Sequence, residues 1–119
     1  MGRTYYVIGN SRLEFNTNFS GADILGFIMF EADEHNKSLV EHDKKYNITN
    51  RPPTTLYKTT GKECQRAVTK LEALTDEQYQ NILSKCKGLI EPYTVDELKR
   101  WTQEWIGFLK QCKKGYLVA

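Results

Sequence analysis

The stretch TTGKECQR at residues 59–66 is the part of this chain that most resembles a catalytic motif. A phosphate-binding loop needs a glycine five residues before its Gly-Lys pair and a Ser or Thr directly after it, so that backbone amides surround the phosphates and a hydroxyl binds Mg²⁺. Here these two positions hold Leu56 and Glu63. Because a carboxylate repels phosphate, the stretch predicts a helix that begins after Thr60, and not a nucleotide site.

Histidines and carboxylates are concentrated in EADEHNKSLVEHDKK, residues 31–45. Glu31 and His35 are four residues apart and could supply two metal ligands from one helical face. His42 would lie roughly 10 Å further along the helix axis, and neither histidine completes a Glu-x-x-His step. We therefore predict no metal site and no cofactor, with Glu31, His35 and His42 as weak metal-ligand candidates, and interpret the segment as a solvated face with i, i+4 ion pairs.

Three cysteines, Cys64, Cys86 and Cys112, occupy apolar positions of helical patterns. A thiol buried in apolar surroundings has a raised pKa and is a poor nucleophile. The chain also lacks a G-x-S-x-G stretch and any C-x-x-C pair. We predict a protein without enzymatic activity, and the odd number of cysteines favours a reducing compartment over a disulfide framework.

A basic stripe follows Thr60, because Lys62, Arg66 and Lys70 recur every four residues. Two closely spaced helices over 61–87 could form a helix-turn-helix-like pair that reads DNA. The residues that would bind nucleic acid are Lys58, Lys62, Arg66, Lys70, Gln78, Asn81 and Lys85. Against this reading, the second helix begins with Asp-Glu, which opposes docking against phosphate, and the turn has no glycine.

The last helical pattern interleaves tryptophans with basic residues. The spacing favours a core stripe with solvated lysines, although a membrane-surface or calmodulin-target helix has a similar pattern. If partly exposed, Trp101 and Trp105 would form a protein-binding hot spot with Lys99 and Arg100 beside them, because Trp and Arg dominate such surfaces. These four residues are the predicted partner-binding site.

The N-terminal residues TYYVIGNSRLEFN alternate on both sides of Gly9-Asn10, which predicts a β-hairpin over 4–16. A lone hairpin is marginally stable, so it needs a further strand or a helix to cover it. The segment 54–59 is the predicted third strand, and YLVA at residues 116–119 could add a fourth.

Four helices are predicted, at about 21–46, 61–73, 76–87 and 95–113. The first would begin at Ser20 with Asp23, although a buried strand at 24–30 is an alternative that periodicity does not exclude. The other three each follow a capping box, namely Thr60 with Glu63, Thr75 with Gln78, and Thr94 with Glu97. Gly88 and Gly115 are the predicted stop signals of the second and third of these helices.

Length and composition complete the structural prediction. The chain has 119 residues, 39% of them hydrophobic and 27% charged, which indicates a globular protein. We predict one domain over residues 1–119 with an α+β fold, in which four helices pack on a small antiparallel sheet. The longest apolar run, ILGFIMF, is too short to span a bilayer, and the start of the chain lacks the apolar core of a signal peptide. We expect a cytoplasmic location, in the cell or in an infected host cell.

The function predicted from these patterns is that of a protein-binding module of adaptor or inhibitor type. A small viral inhibitor of a host defence complex would have this size and this lack of motifs, which is an analogy alone. The alternative is a nucleic-acid-binding regulator that uses the basic stripe, although a net charge of +2 does not by itself imply a polyanionic partner. A protein is therefore the expected partner, nucleic acid is the alternative, and homo-oligomers are compatible with the sequence.

Overall fold

The computed structural model describes residues 2–87 and 94–119. These residues form, in order, β1 (Arg3–Val7), β2 (Asn10–Thr17), α1 (Phe19–Glu31), α2 (Lys37–Lys45), α3 (Gly61–Glu72), α4 (Asp76–Lys85), α5 (Val95–Gln111) and β3 (Tyr116–Val118). The fold is α+β, as predicted, but the described residues contain five helices where four were predicted. In this part of the chain no helix is both long and apolar enough to cross a membrane.

The strands pair antiparallel in the order β2-β1-β3. β1 and β2 form the predicted hairpin, with a turn at Gly9, where φ is 91°. Tyr5 lies opposite Phe15 on one side and opposite Val118 on the other. Because side chains alternate along a strand, these residues share one face of the sheet, and this inner face packs against α5.

The third strand is β3, so the prediction that residues 54–59 supply it is wrong. That segment runs beside β3 but contributes one isolated bridge, in which Lys58 lies opposite Leu117. The Tyr116 N–H donates to the Thr59 hydroxyl at 3.0 Å and not to a backbone carbonyl, which interrupts regular pairing at this point. The C-terminal residues that were predicted as a further strand complete the sheet.

The predicted helix over 21–46 is two helices, α1 and α2. α1 begins after Asn18, whose side chain accepts a hydrogen bond from the Gly21 N–H at 2.7 Å, so the predicted cap at Ser20 is wrong. Residues 24–30 are helical, which excludes the buried-strand alternative. Gly26 weakens the helical pattern, but a Cβ here would lie 1.9 Å from the Pro53 carbonyl oxygen, so the packing requires glycine.

The break between α1 and α2 has a local cause. Asp33 adopts a left-handed conformation with φ 56°, and the Glu34 N–H reaches back to the Met29 carbonyl at 2.8 Å, as in a Schellman cap. Asn36 then caps α2 by accepting from the Leu39 N–H at 3.2 Å. Together these contacts turn the chain and direct Glu34 into the protein, where only 5% of it is exposed.

The helices of the second half agree closely with their predictions. Thr60 and Thr75 form complete capping boxes, and Thr94 caps α5 by accepting from the Glu97 N–H at 3.2 Å. α3, α4 and α5 end within two residues of the predicted boundaries. Gly115 has φ 99°, which fits its role as a stop signal, whereas Gly88 lies outside the described residues.

α5 is the central element of the core. α3 and α4 both pack against it, and the inner face of the sheet covers another side. Trp105 on α5 is fully buried, with its ring centroid 5.0 Å from that of Tyr5 and 5.3 Å from that of Phe15. The tryptophan therefore joins the helical layer to the sheet.

Candidate functional site

The predicted partner-binding tryptophans have different environments. Trp105 has no exposed surface, and its Nε1–H donates to the Met29 sulfur at 3.3 Å, so in this structure it serves the core and cannot contact a partner. Trp101 is partly exposed and packs against Gly21, where a Cβ would lie 2.8 Å from the indole ring. A partner-binding role for Trp101 stays a prediction.

Lys99 and Arg100, the basic residues next to these tryptophans, also have different environments. Lys99 donates to Asp76 at 2.8 Å, and this hydrogen bond raises the pKa of the lysine and lowers that of the aspartate. Its ammonium also lies 5.5 Å from the centroid of the Tyr79 ring. Arg100 is exposed. Lys99 is therefore held by contacts to α4, whereas Arg100 faces solvent.

The basic stripe on α3 is largely occupied by an internal carboxylate. The Arg66 guanidinium binds both oxygens of Glu34, with Nη2 to Oε2 at 2.9 Å, and the Lys70 ammonium lies 3.0 Å from Oε1. Burial opposes ionisation of Glu34, but the hydrogen bonds from Arg66 and Lys70 outweigh it and hold the pKa of this carboxyl below its usual range. The two cations therefore fix the break between α1 and α2.

The remaining nucleic-acid candidates lie on different elements and have different surroundings. The Gln78 side chain accepts from the Thr75 N–H as part of the α4 cap, and the Lys85 ammonium lies 4.5 Å from the Phe30 ring centroid. Asn81 is exposed on α4, and Lys62 is exposed at the start of α3. α3 packs mainly against α5, whereas α4 packs against both α5 and α1. Lys58, the last candidate, lies at the sheet.

The metal-ligand candidates do not converge. Glu31 lies 4.0 Å from the Lys85 ammonium, and the His42 ring bonds Asp43 at 3.1 Å. The His35 ring packs against Phe30 at a tilt of 50°, with ring centroids 4.8 Å apart. Its Nδ1 is buried without a hydrogen-bond partner, and burial lowers the pKa of the imidazole. Across residues 2–87 and 94–119, no three His, Cys, Asp or Glu side chains lie together as a metal ion would require.

The outer face of the sheet carries a feature that sequence reasoning missed. Tyr6 lies between Glu14 and Leu117 on this face, and Leu117 is 48% exposed. An open groove of about 520 Å³, the sheet groove, runs along this face at the hairpin turn. The groove is lined by Tyr6, Val7, Ile8, Gly9, Asn10, Ser11 and Leu117. Its lining is mostly apolar.

Basic residues border the sheet groove. Lys58 lies directly opposite Leu117, and the Lys114 side chain lies beside the turn, with its Cδ 3.7 Å from where a Cβ on Gly9 would be. Arg12, next to the groove residue Ser11, is also exposed. One carboxylate, that of Glu14, lies on the same face of the sheet opposite Tyr6. Three cations and one carboxylate give the surroundings of the groove a net positive charge.

The unbroken apolar run YYVI at residues 5–8 offered a signal for this site. Because successive side chains of a strand point to opposite faces, such a run makes both faces of the strand apolar, although only one of them can cover the core. Leu117 joins the groove only through the pairing of β3 with β1, which is not local in sequence. Comparison with family models, with curated proteins and with solved structures finds no match. Function is therefore inferred from this chain's own residues.

Proposed function

We propose that this protein is a non-enzymatic protein-binding module, of adaptor or inhibitor type, that holds an apolar segment of an acidic partner in the sheet groove. The apolar row of the half-buried Tyr6 and the exposed Leu117 carries the proposal. Apolar surface that is concave and bordered by polar residues is typical of a docking site for another protein. An aromatic side chain held on a rigid strand is also a favourable anchor, because it loses little conformational entropy on binding.

The charge around the groove supports an acidic partner. Lys58, Lys114 and Arg12 would attract carboxylates, which speeds association and sets the orientation of the bound segment more than it adds affinity. Apolar contacts to Tyr6 and Leu117 would then supply most of the binding energy. Removal of the apolar side chains should therefore lower mainly the affinity, and removal of the lysines should lower mainly the association rate.

Affinity capture with the full chain as bait, from extracts of its source cells, tests the proposal. The double variant Tyr6→Ser/Leu117→Ser should weaken binding of the captured protein at least about tenfold, which corresponds to about 1.4 kcal/mol. The control is Tyr46→Ser/Ile48→Ser, which likewise removes one aromatic and one aliphatic side chain, here both exposed and outside the groove lining. The control should retain binding.

Two outcomes would contradict this assignment. If both double variants lose binding equally, the groove does not contribute specifically to binding. If the unmodified chain captures no protein, the proposal has no basis. A Lys58→Glu/Lys114→Glu variant adds an electrostatic readout, because its association rate should fall at low salt and approach that of the unmodified chain at high salt. Light scattering of the purified chain distinguishes self-association from capture of another protein.

A nucleic-acid-binding role receives less support, because Arg66 and Lys70 are both bound to Glu34. A salt titration with labelled DNA and RNA tests it. Binding at low salt that falls steeply with added salt, and that Lys62→Glu removes, would favour this alternative. We retain the cytoplasm, of the cell or of an infected host cell, as the proposed location, because the three cysteines are free thiols.

A further inference from the structure

A second concave site lies between two helices, away from the sheet groove. A partly enclosed pocket of about 390 Å³ opens to solvent between α3 and the C-terminal part of α5. This pocket, the lysine pocket, is lined by Gly61, Lys62, Gln65, Val68, Leu109, Lys110, Cys112 and Lys113. It shares no lining residue with the sheet groove. Its volume lies within the range of roughly 300–1,000 Å³ that is typical of small-molecule sites.

The lysine pocket has an apolar floor and a rigid frame. Leu109 and Cys112 are almost fully buried, and the half-buried Val68 packs against the core beside them. The chain just after α5 meets the start of α3 so closely that a Cβ on Gly61 would lie 2.0 Å from the Lys113 carbonyl oxygen. Because only glycine allows this approach, the packing of α3 against α5 forms the pocket before any ligand binds, which lowers the cost of binding.

The polar part of the lining is rich in positive charge. It consists of three lysines and the amide side chain of Gln65, and the described lining residues include no carboxylate. The Lys110 ammonium lies 3.4 Å from Glu72, outside the pocket lining. Within residues 2–87 and 94–119, Lys62 and Lys113 make no ion pair. Cations around one cavity repel one another, and a bound anion offsets this repulsion.

The helix dipoles explain two of these lysines but not the third. Lys110 is in the last turn of α5 and Lys113 follows shortly after it, where the carbonyl end of a helix favours cations. Lys62 is in the first turn of α3, where the dipole favours anions and disfavours a cation. Glu63, the carboxylate of this turn, accepts from the Thr60 N–H and does not line the pocket. An anion inside the pocket would therefore compensate Lys62.

We infer that the lysine pocket binds a small organic phosphate, in which a phosphate monoester is joined to an apolar or aromatic body. Ammonium groups are compact point charges that suit a phosphate, which carries close to two negative charges at neutral pH. Val68 and Leu109 would cover the apolar body, and the Gln65 amide can exchange a hydrogen bond with a polar group on it. Because the site lies apart from the sheet groove, this inference does not depend on the proposed protein partner.

The test is an NMR titration of the isotope-labelled full chain with 1-naphthyl phosphate. Backbone amide signals of Gly61, Lys62, Gln65 and Lys113 should shift as the probe is added, with a Kd of about 1 mM or lower. Inorganic phosphate and 1-naphthol each carry one half of the probe. Each should bind at least about tenfold more weakly than the whole probe, because neither contacts both the lysines and the apolar floor.

A matched pair of variants separates the lysine pocket from general electrostatic attraction. Lys62→Gln/Lys113→Gln should raise the Kd for 1-naphthyl phosphate at least about tenfold. The control Lys44→Gln/Lys87→Gln removes the same charge from exposed positions outside the pocket lining, and its Kd should stay within about twofold of that of the unmodified chain. All four lysines are exposed, so both variants should fold, which circular dichroism checks.

Four outcomes would overturn the inference. The first is equal weakening in the two double variants, and the second is a set of shifts confined to the sheet groove. The third is inorganic phosphate that binds as tightly as 1-naphthyl phosphate, which would leave the apolar floor without a role. The last is a titration in which no signal shifts.

Discussion

The two faces of the small sheet carry similar residues but differ in what covers them. On the inner face, Tyr5 is fully buried and its hydroxyl bonds the Thr55 hydroxyl at 2.8 Å. On the outer face, Tyr6 and Leu117 form an apolar row, and Leu117 is 48% exposed. The inner face holds the fold together, and the outer face offers the same kind of surface to another molecule.

The charged residues show the same division. Arg66 and Lys70 lie on a regular helical stripe that looks like a binding surface, yet both are bound to the buried Glu34. Lys58 and Lys114 follow no sequence pattern, yet they border the sheet groove. Residue type and spacing therefore identify a candidate, but only the presence of an internal partner decides whether that residue serves the fold or is free to bind.

Trp105→Ala should have the largest effect on stability, and it tests whether the inner face of the sheet holds the fold together. Removal of a fully buried indole should lower the free energy of unfolding by about 3–5 kcal/mol, because it leaves a cavity between α5 and the sheet. Urea denaturation measures the change. Partner capture should fall only in proportion to the fraction of the variant that is unfolded. Unchanged stability together with lost capture would place Trp105 in the interface and contradict its assignment to the core.

Glu34→Gln should have an intermediate effect that depends on pH. Loss of the buried carboxylate removes the charge that binds Arg66 and Lys70, and because these cations are partly exposed we expect a cost of about 1–2 kcal/mol at pH 7. The folded pKa of Glu34 is lowered, so its stabilisation is present above the unfolded value of about 4.3 and is lost as pH falls through the folded value.

Urea denaturation of the unmodified chain and of Glu34→Gln at pH 7 and near pH 3 checks this sign. The difference in the free energy of unfolding between the two proteins should shrink at the lower pH, as the glutamate begins to take up a proton. Glu72→Gln is a suitable control, because this carboxylate lies exposed on α3 and pairs with Lys110 of α5. A difference that stays constant with pH would contradict the role assigned to Glu34.

The sequence predicted the second half of the fold well because its signals there are local. Thr60 and Thr75 each determine a helix start through residues three positions away, and the structure contains both capping boxes. The α1–α2 break was missed because Asp33 takes the left-handed cap position that glycine usually occupies. The Asn36 cap that follows it was also missed, since it lies inside a continuous helical pattern.

The candidate site could be predicted only in part. Tyr6 belongs to the visible apolar run YYVI, but the groove forms when β3 pairs with β1 and brings Leu117 beside it. This pairing joins the two ends of the chain, and no short-range pattern encodes it.

Leu117→Ala should have the smallest effect on stability and tests the outer side of the contrast. Because about half of this side chain already contacts water, its truncation should change the free energy of unfolding by only about 0.5 kcal/mol. Partner capture should fall by a much larger factor, because the same side chain would be fully covered in the complex. Urea denaturation and quantitative capture on one protein preparation measure both quantities. A loss of stability as large as that of Trp105→Ala would mean that both faces of the sheet serve the fold, and that a partner must bind elsewhere.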